Sequence, residues 1–558
     1  METLPQLLSV SVASGRTGPG GPQSDISGPR PLIREPHDLA RTRLDEGDLH
    51  QRMTTGQGLA ELAAPFAAVT ADGNGGLIAA TDHMGLGLVY GTQGDGWAAI
   101  AGSARELAGL SGAGLDRTAL GVYRLVGIHL GEATAFEGVQ SLAAGHRWHL
   151  ADGTLTAEAY PPPPAEPGTL TVREGVAKAA ALLRRDLTRI LDEFPDVVFQ
   201  LSGGLDTRLL LAAVPPERRR GLRALTLRST GNADEEVART LAQRYGMEHG
   251  IVDLDDLGTL TPEEIHTLVQ TASLANEQVF SPLQLGMIQW AEGRTAELYG
   301  ADAPRIDGIG GEISRGMYHA LQRQHPSVTP ELVERLARWR IFSRDSVDAD
   351  CLDPGFAEES ERHALKILQE TFATYDMDWL SATDAYWYTI RSHRGTGSVQ
   401  TQAGRRRAVL MPFAHPEYVA ITAALPATAK RGSRFNAQVV KALDPELAAI
   451  PMDTGVRPDA LTAARPVTLL RTGRDYAHRV SGKVRQRINR RGVSGAVPAT
   501  LTRGLVAHWR AHPQLLEPVA ASGLFSESWL AGLLAGDQEP APATAAFISI
   551  VEAAATPK

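Results

Sequence analysis

The segment from residue 172 to residue 254 alternates between helical and strand patterns, and this alternation restricts the folds open to the chain more than any other feature. Apolar residues recur at helical spacing from Val172 to Glu193. DVVFQL is then a largely apolar run, typical of a strand buried on both faces. RALTLRS, DEEVARTLAQRYG and HGIVDL predict a further strand, a helix and a strand. This order of elements predicts an α/β fold with a doubly wound parallel sheet.

The first 160 residues have a different pattern, in which short apolar runs are separated by turns. PFAAVTADGNGGLIAATD predicts two strands joined by a turn, and GLGLVYG, GWAAIAGS and GHRWHL predict three more. We expect a helix at about 115 to 125, and an irregular start from residue 11 to residue 36, where Gly, Pro and Ser are frequent. This half of the chain should therefore form a β-rich layered domain.

Four consecutive prolines in the sequence PPPPAEPG predict a stiff, extended spacer between domains. Beyond about residue 330 the patterns are mainly helical, with long helices expected at 358–375 and 414–424. We therefore predict an N-terminal domain at 1–160, a proline-rich linker at 161–170, an α/β domain at 171–460 and a helical C-terminal extension at 461–558.

Composition and charge exclude several classes of function. The formal net charge of −9 disfavours a protein that binds nucleic acid through a general electrostatic field. Cys351 is the only cysteine, so the chain forms no intrachain disulfide, and a reducing cytoplasm is the expected location. No apolar run approaches the roughly 18 residues that would suggest a membrane span, and no secretion signal is apparent at the N-terminus.

The strongest chemical motif is Ser-Gly-Gly-Leu-Asp-Thr, from Ser202 to Thr207, between a predicted buried strand and a predicted helix. Ligands of open α/β sheets collect at this edge, where a helix N-terminus offers free N–H groups. The two glycines allow the backbone to approach a pyrophosphate, and the two hydroxyls can donate to it. Asp206 would repel bare phosphate, so we expect it to hold Mg²⁺ against the phosphate.

LSGGLDT resembles the pyrophosphate-binding loop of the asparagine synthetase family. TLRSTGNADEEVARTLAQRYGMEH, RIDGIGGEISRGMY and MPFAHPEYVAITAALP resemble later segments of the same fold, and TDHMGLGLVY and FEGVQSLAAGHRWHLADGTLTAEAY resemble its N-terminal amidotransferase domain. The resemblance covers about 60 to 450. It implies a degenerate Ntn-amidotransferase-like domain followed by an ATP-pyrophosphatase domain. It also implies an ATP site at Ser202, Gly203, Gly204, Leu205, Asp206, Thr207, Thr226 and Gly231, and a Mg²⁺ site at Asp206 and Glu312.

Three departures from the family pattern change what the resemblance implies. Glutaminase members carry a cysteine directly after the initiator Met, whereas residue 2 here is Glu, so glutaminase activity by that route should be absent. Ile309 stands where relatives usually carry a second acid near the reaction centre. The lysine expected near IPMDTGVRP is missing, and the sequence does not decide whether Lys430, Lys441 or Arg457 replaces it.

The resemblance implies an ATP-dependent ligase that activates a carboxylate as its adenylate, releases pyrophosphate and forms an amide with ammonia or an amine. The substrate would be a small molecule or a peptide, with neither nucleic acid nor membrane as a partner, and a homodimer is possible. One alternative is an intramolecular cyclase resembling lasso-peptide cyclases or β-lactam synthetases. Another is a relative that binds a nucleotide or a partner without turnover. No catalytic residue can be assigned from the sequence.

Overall fold

The structure of the protein is a computed structural model, which describes residues 8–12, 28–160, 166–230, 233–320, 322–342, 346–462 and 496–555. It is a mixed α/β structure with two antiparallel sheets in the N-terminal part of the chain and one parallel sheet after them. The predicted combination of a β-rich layered part with a parallel-sheet part is therefore confirmed at this level. Residues 161–165 of the expected linker and 463–495 of the expected C-terminal extension lie outside the described residues.

The N-terminal part contains a four-stranded sheet in the order β1-β6-β5-β7 and a five-stranded sheet in the order β2-β3-β4-β8-β9. Every strand pair in these two sheets is antiparallel. The strands are β1 (Leu8–Val12), β2 (Arg30–Pro31), β3 (Ala67–Ala71), β4 (Leu77–Thr81), β5 (Tyr90–Gly94), β6 (Trp97–Ala101), β7 (Val139–Ser141), β8 (His146–Ala151) and β9 (Thr154–Ala159). Three helices accompany them: α1 (Glu46–Thr55), α2 (Ala104–Ser111) and α3 (Arg117–Val126).

The two antiparallel sheets pack face to face because apolar side chains alternate along their strands. Val69 and Trp148 of one sheet share a core cluster with Ile100 of the other. Ala68, the residue before Val69 in β3, faces the opposite way and packs with Met53 of α1. Helix α2 covers the outer face of the four-stranded sheet. The result is four layers in the order helix, sheet, sheet, helix.

Two local predictions for this part were wrong. GLGLVYG was expected to be a strand, but β5 begins only at Tyr90. The carboxylate of Asp82 accepts hydrogen bonds from the backbone N–H groups of Phe66, Met84, Leu86 and Gly87, and these bonds hold the chain in a loop. Residues 11 and 12 were expected to be irregular, but they pair with β6 and therefore belong to strand β1. Residues 13–27 lie outside the described part.

The parallel sheet has the order β12-β11-β10-β13-β14, as the sequence pattern predicted for residues 198–253. Helices cover both faces, because consecutive residues of a strand point to opposite sides. Phe199 packs with the cluster that contains α4 (Val172–Glu193), α5 (Leu205–Ala213) and α14 (Arg434–Leu443). Val198 packs with the cluster that contains α7 (Pro262–Ala275) and α8 (Pro282–Tyr299). The strands are β10 (Val198–Gln200), β11 (Arg223–Arg228), β12 (Glu248–Asp253), β13 (Arg305–Ile306) and β14 (Val409–Leu410).

The helices of this half confirm most of the predicted helical segments. The long helices expected at 358–375 and 414–424 begin and end a few residues from those bounds, and the C-terminal helices pack on α7 and α8. The helices are α4 (Val172–Glu193), α5 (Leu205–Ala213), α6 (Asp234–Tyr245), α7 (Pro262–Ala275), α8 (Pro282–Tyr299), α9 (Pro330–Leu336), α10 (Pro354–Ala373), α11 (Trp379–Tyr386), α12 (Gly397–Gly404), α13 (Pro416–Ala424), α14 (Arg434–Leu443), α15 (Pro445–Ala448), α16 (Pro458–Leu461), α17 (Ala496–Ala511), α18 (Glu517–Ala521), α19 (Glu527–Ala535) and α20 (Pro542–Ala555).

A buried ion pair joins the two halves of the chain. Arg41 Nε and Nη2 each donate to one carboxylate oxygen of Asp186 on α4, at 2.7 Å, and both side chains are almost fully buried. Burial of a charge is tolerated when a partner neutralises it with good geometry. None of the helices in the described residues is long and apolar enough to cross a membrane.

Candidate functional site

The candidate site lies where the strand order of the parallel sheet reverses. The chain runs outward from β10 to β11 and β12, and then returns to the other side of β10 to form β13 and β14. The loops that leave β10 and β13 therefore diverge at the carboxyl edge of the sheet and leave a crevice, which is the usual ligand position in open α/β sheets. The loop after β10 is 201–204, and the loop after β13 is 307–310.

The loop after β10 is organised by its two hydroxyls. Ser202 Oγ and Thr207 Oγ1 are 2.9 Å apart, and Gly204 N–H donates to Ser202 Oγ at 3.2 Å. Helix α5 begins directly afterwards, and no side chain caps its N-terminus at Gly204. The first turn of α5 therefore presents backbone N–H groups and partial positive charge toward the crevice.

Two elements from distant parts of the chain fix Gly203. Its N–H donates to Asp234 Oδ1 at the start of α6, at 3.0 Å, and its carbonyl accepts from Asp453 N–H at 3.2 Å. The segment that carries Asp453 is held in turn by Arg208, whose guanidinium donates to the carbonyls of Ile450 and Pro451. The sequence motif therefore lies in a frame built from three separate regions.

The glycines of the second loop allow it to approach the first one closely. A Cβ on Gly308 would lie 2.8 Å from Thr207 Cγ2, and a Cβ on Gly311 would lie 2.6 Å from Asp206 Cγ. Real Cβ atoms are not found at such distances, so any larger residue would force the loops apart. Glycine at 308 and at 311 is thus explained by the close approach of this loop to Thr207 and to Asp206.

Asp206 and Glu312, the pair that the family resemblance implied for Mg²⁺, lie close enough in this crevice for their charges to interact. Asp206 exposes 15% of its side chain, and burial raises the pKa of its carboxyl although Arg315 acts against the shift. Burial and then the charge of Asp206 raise the pKa of Glu312 to about 7. Two carboxylates in a partly buried crevice repel each other, and a cation between them would relieve that repulsion.

Arg315 and Asn436 complete the site, and sequence analysis missed both. Arg315 Nη1 donates to Asp206 Oδ2 at 2.7 Å, and Asn436 Nδ2 donates to Asp206 Oδ1 at 3.3 Å. Asn436 is fully buried, and Ser314 Oγ donates to its Oδ1 at 2.6 Å. Arg315 lies within the RIDGIGGEISRGMY motif, which could have pointed to it, but no local signal marks Asn436.

The remaining predicted ATP residues have different surroundings. Leu205 is buried in the core cluster between the sheet and α4, so its role is to anchor the start of α5. Thr226 is buried in β11, and its Oγ1 donates to the carbonyl of Leu201 and lies 2.8 Å from His249 Nε2. Gly231 lies outside the described residues.

The three basic residues considered as replacements for the family lysine have other contacts. Lys430 is buried and pairs with Asp384 at 2.8 Å. Arg457 is exposed and pairs with Asp459 at 3.2 Å, and Lys441 is exposed on α14. Arg315, which was not among these three, forms an ion pair with Asp206 at 2.7 Å.

Ile309 occupies the position where the family resemblance implied an acid. Its backbone N–H donates to Asp307 Oδ1 at 2.7 Å, and its side chain packs against a cluster that includes Ala64, Met84 and Met411. Its side chain thus contributes to packing between the two halves of the chain. The structure offers an apolar contact at this position and no acid.

The residues present fit a Mg²⁺ ion that is shared with phosphate oxygens. Among the described residues, no group of three or more His, Cys, Asp or Glu side chains could enclose a metal. Mg²⁺ nevertheless often binds one or two carboxylates together with water and substrate phosphates. Asp206 and Glu312 supply such a pair beside the uncapped start of α5, so they could hold the ion with water or phosphate oxygens as its further ligands.

Comparison of the sequence with protein-family models finds no family that matches, and comparison with curated proteins finds no match. The assignment of a function therefore depends on the geometry of the site together with the sequence motifs.

Proposed function

We propose that the protein is an ATP-dependent amide ligase that forms AMP and pyrophosphate, with a carboxylate activated as its adenylate and an amine or ammonia as the acceptor. The single observation that carries this proposal is the meeting of Asp206 and Glu312 at the switch point of a parallel sheet, beside the uncapped N-terminus of α5. The resemblance of LSGGLDT and RIDGIGGEISRGMY to the asparagine synthetase family supports the same conclusion.

The residues of the crevice have complementary roles in this proposal. The backbone N–H groups of the first turn of α5 bind the pyrophosphate portion of ATP. Ser202 and Thr207 orient their hydroxyls toward each other and can turn one of them to phosphate. Asp206 and Glu312 would hold Mg²⁺, which would supply positive charge to stabilise the departing pyrophosphate.

The nitrogen comes from an amine or from free ammonia in this proposal. Cys351 is the only cysteine of the chain, and it is buried, with Sγ donating to the carbonyl of Asp348 at 2.9 Å. Burial raises the pKa of its thiol to about 12, so it is a poor nucleophile near neutral pH. The four-layer N-terminal part supports the comparison with an amidotransferase domain, although in this chain it lacks a thiol to attack glutamine.

A second candidate function is nucleotide binding without turnover. Two observations favour it: Ile309 packs in an apolar cluster where relatives carry an acid, and Arg315 already neutralises Asp206. Both candidates require ATP to bind in the crevice, and only the ligase requires exchange of pyrophosphate into ATP.

ATP–pyrophosphate isotope exchange distinguishes the two candidates. Purified protein with Mg²⁺ is assayed against a panel of carboxylic acids, including amino acids and linear acids that carry their own amine. Asp206→Ala is the test variant, and Asp192→Ala, which removes an exposed carboxylate of α4, is the control. Exchange that requires one acid and disappears only in Asp206→Ala supports the ligase. ATP binding without exchange favours the second candidate, and the absence of ATP binding would overturn both.

A further inference from the structure

Arg315 is held at the carboxylate pair by contacts of unequal strength. Its Nη1 lies 2.7 Å from Asp206 Oδ2, and its Nε donates to Ser433 Oγ at a longer 3.3 Å. The side chain is 33% exposed, so its outer edge faces the solvent of the crevice. A charge-assisted contact to Asp206 is therefore the main interaction that keeps the guanidinium in this position.

Asp206 is the fixed member of this pair. Its other oxygen accepts from Asn436, which is itself fully buried and bonded to Ser314. The backbone of Gly311 lies directly against the same carboxylate. If the ion pair separates, the residue that moves is Arg315, because Asp206 is enclosed and the arginine is long and partly exposed.

A divalent ion bound by Asp206 and Glu312 would weaken the attraction that holds Arg315 at Asp206. The ion and the guanidinium would share one carboxylate at a separation of a few ångströms, where two positive charges repel strongly. A guanidinium displaced from a carboxylate is well suited to phosphate, because both ligands accept two parallel N–H bonds. The phosphates of a nucleotide bound at the start of α5 would lie beside the same crevice.

We propose that Arg315 is an internal counter-ion that occupies Asp206 when no metal is bound, and that it transfers to the phosphates of ATP when Mg²⁺ binds. This inference rests on the proposed function. It assigns to Arg315 a phosphate-binding role, and it makes metal and nucleotide binding cooperative, because the ion releases the arginine that the nucleotide needs.

The test measures metal and nucleotide binding separately, without reference to catalysis. Mn²⁺ alone is titrated into the full-length protein and followed by electron paramagnetic resonance. ATP binding is then measured by equilibrium dialysis at saturating Mg²⁺. The variant is Arg315→Gln, and Arg323→Gln, which removes an exposed arginine a few residues further along the chain, is the matched control. Circular dichroism verifies that each variant is folded.

Arg315→Gln should bind Mn²⁺ about tenfold more tightly than wild type, because the competing positive charge is gone, and should bind ATP about tenfold more weakly. Arg323→Gln should match wild type in both measurements. Unchanged or weaker Mn²⁺ binding by Arg315→Gln, with ATP still bound by wild type, would overturn the counter-ion role and leave the proposed function intact. A wild-type protein that binds neither Mn²⁺ nor ATP would overturn both.

Arg315→Lys provides the test if the glutamine variant does not fold. Its ammonium keeps a positive charge beside the carboxylates, so Mn²⁺ affinity should stay within about threefold of wild type. It lacks the planar fork of arginine, so ATP affinity should fall by about fivefold or more. ATP affinity equal to that of wild type would overturn the transfer of Arg315 to phosphate.

Discussion

Replacing Glu312 by glutamine should stabilise the metal-free protein at alkaline pH and have little effect in acid. Burial, followed by the charge of Asp206, raises the pKa of Glu312 from 4.5 to about 7. A carboxyl with a raised pKa binds its proton more tightly in the folded protein than in the unfolded chain. The free energy of unfolding therefore falls as the pH rises from about 4.5 to about 7, and stays low above that range.

The size of the effect follows from the two pKa values. At 1.36 kcal/mol for each pH unit, the difference between 4.5 and about 7 corresponds to about 3 kcal/mol of lost stability at pH 8. Glutamine has nearly the same shape, can still accept the hydrogen bond from Gly310 N–H, and carries no charge. For the predicted α/β domain at 171–460, unfolding as one unit, about 3 kcal/mol corresponds to a rise of about 5 °C in Tm.

The assay is thermal unfolding of wild type and Glu312→Gln, followed by circular dichroism at pH 8 and at pH 5 without divalent ions. Glu358→Gln, an exposed substitution on α10, is the control and should leave Tm unchanged at both pH values. An equal rise of Tm at pH 5 and pH 8 would refute the electrostatic reasoning. Saturating Mg²⁺ should stabilise the wild type and reduce the advantage of the variant, because only the wild type keeps both carboxylates.

Three further results are expected. Asp186→Asn leaves the buried guanidinium of Arg41 with a neutral partner and should lower the free energy of unfolding in urea by about 3–5 kcal/mol. Asp192→Asn breaks an exposed ion pair and should lower it by less than about 1 kcal/mol. Similar losses in the two variants would contradict the role of burial. Gly311→Ala places a Cβ against Asp206 and should weaken ATP binding, measured by equilibrium dialysis, more than tenfold. Gly109→Ala on α2, where the added Cβ meets open space, should leave ATP binding unchanged. Equal ATP affinity in the two variants would disprove the close approach. Cys351 should react with iodoacetamide in urea but hardly at all in the folded protein at neutral pH, because it is buried and its thiol has a pKa of about 12. Rapid labelling of the native protein would exclude that burial.

Much of the parallel-sheet half could be predicted because its signals are local. Helix α4 occupies Val172–Glu193 as predicted, since its apolar spacing and the capping box of Thr171 and Glu174 are both visible in the sequence. The loop from Ser202 to Thr207 follows a strand and opens a helix, again as predicted. Strand periodicity and helix caps depend on residues a few positions apart, so a single sequence contains them.

Local signals failed where a distant or polar contact overrides the pattern. GLGLVYG has the composition of a strand, but the carboxylate of Asp82 collects backbone N–H groups and holds most of it in a loop. Lys430, one of three residues among which the sequence did not choose a replacement for the missing lysine, is buried and pairs with Asp384. In both cases hydrogen bonding or ion pairing in the folded chain decides the outcome, and pattern alone does not contain it.

The sequence by itself determined the alternation of strands and helices and the position of the glycine-rich loop at Ser202–Thr207. Tertiary structure alone decided that Arg315 lies on Asp206, 109 residues earlier in the chain, and that Asn436, 230 residues away from Asp206, holds its other oxygen. Secondary structure follows from neighbours along the backbone. The charge balance of a site follows from distances through space, which exist only once the sheet and its crossing helices have brought remote loops together.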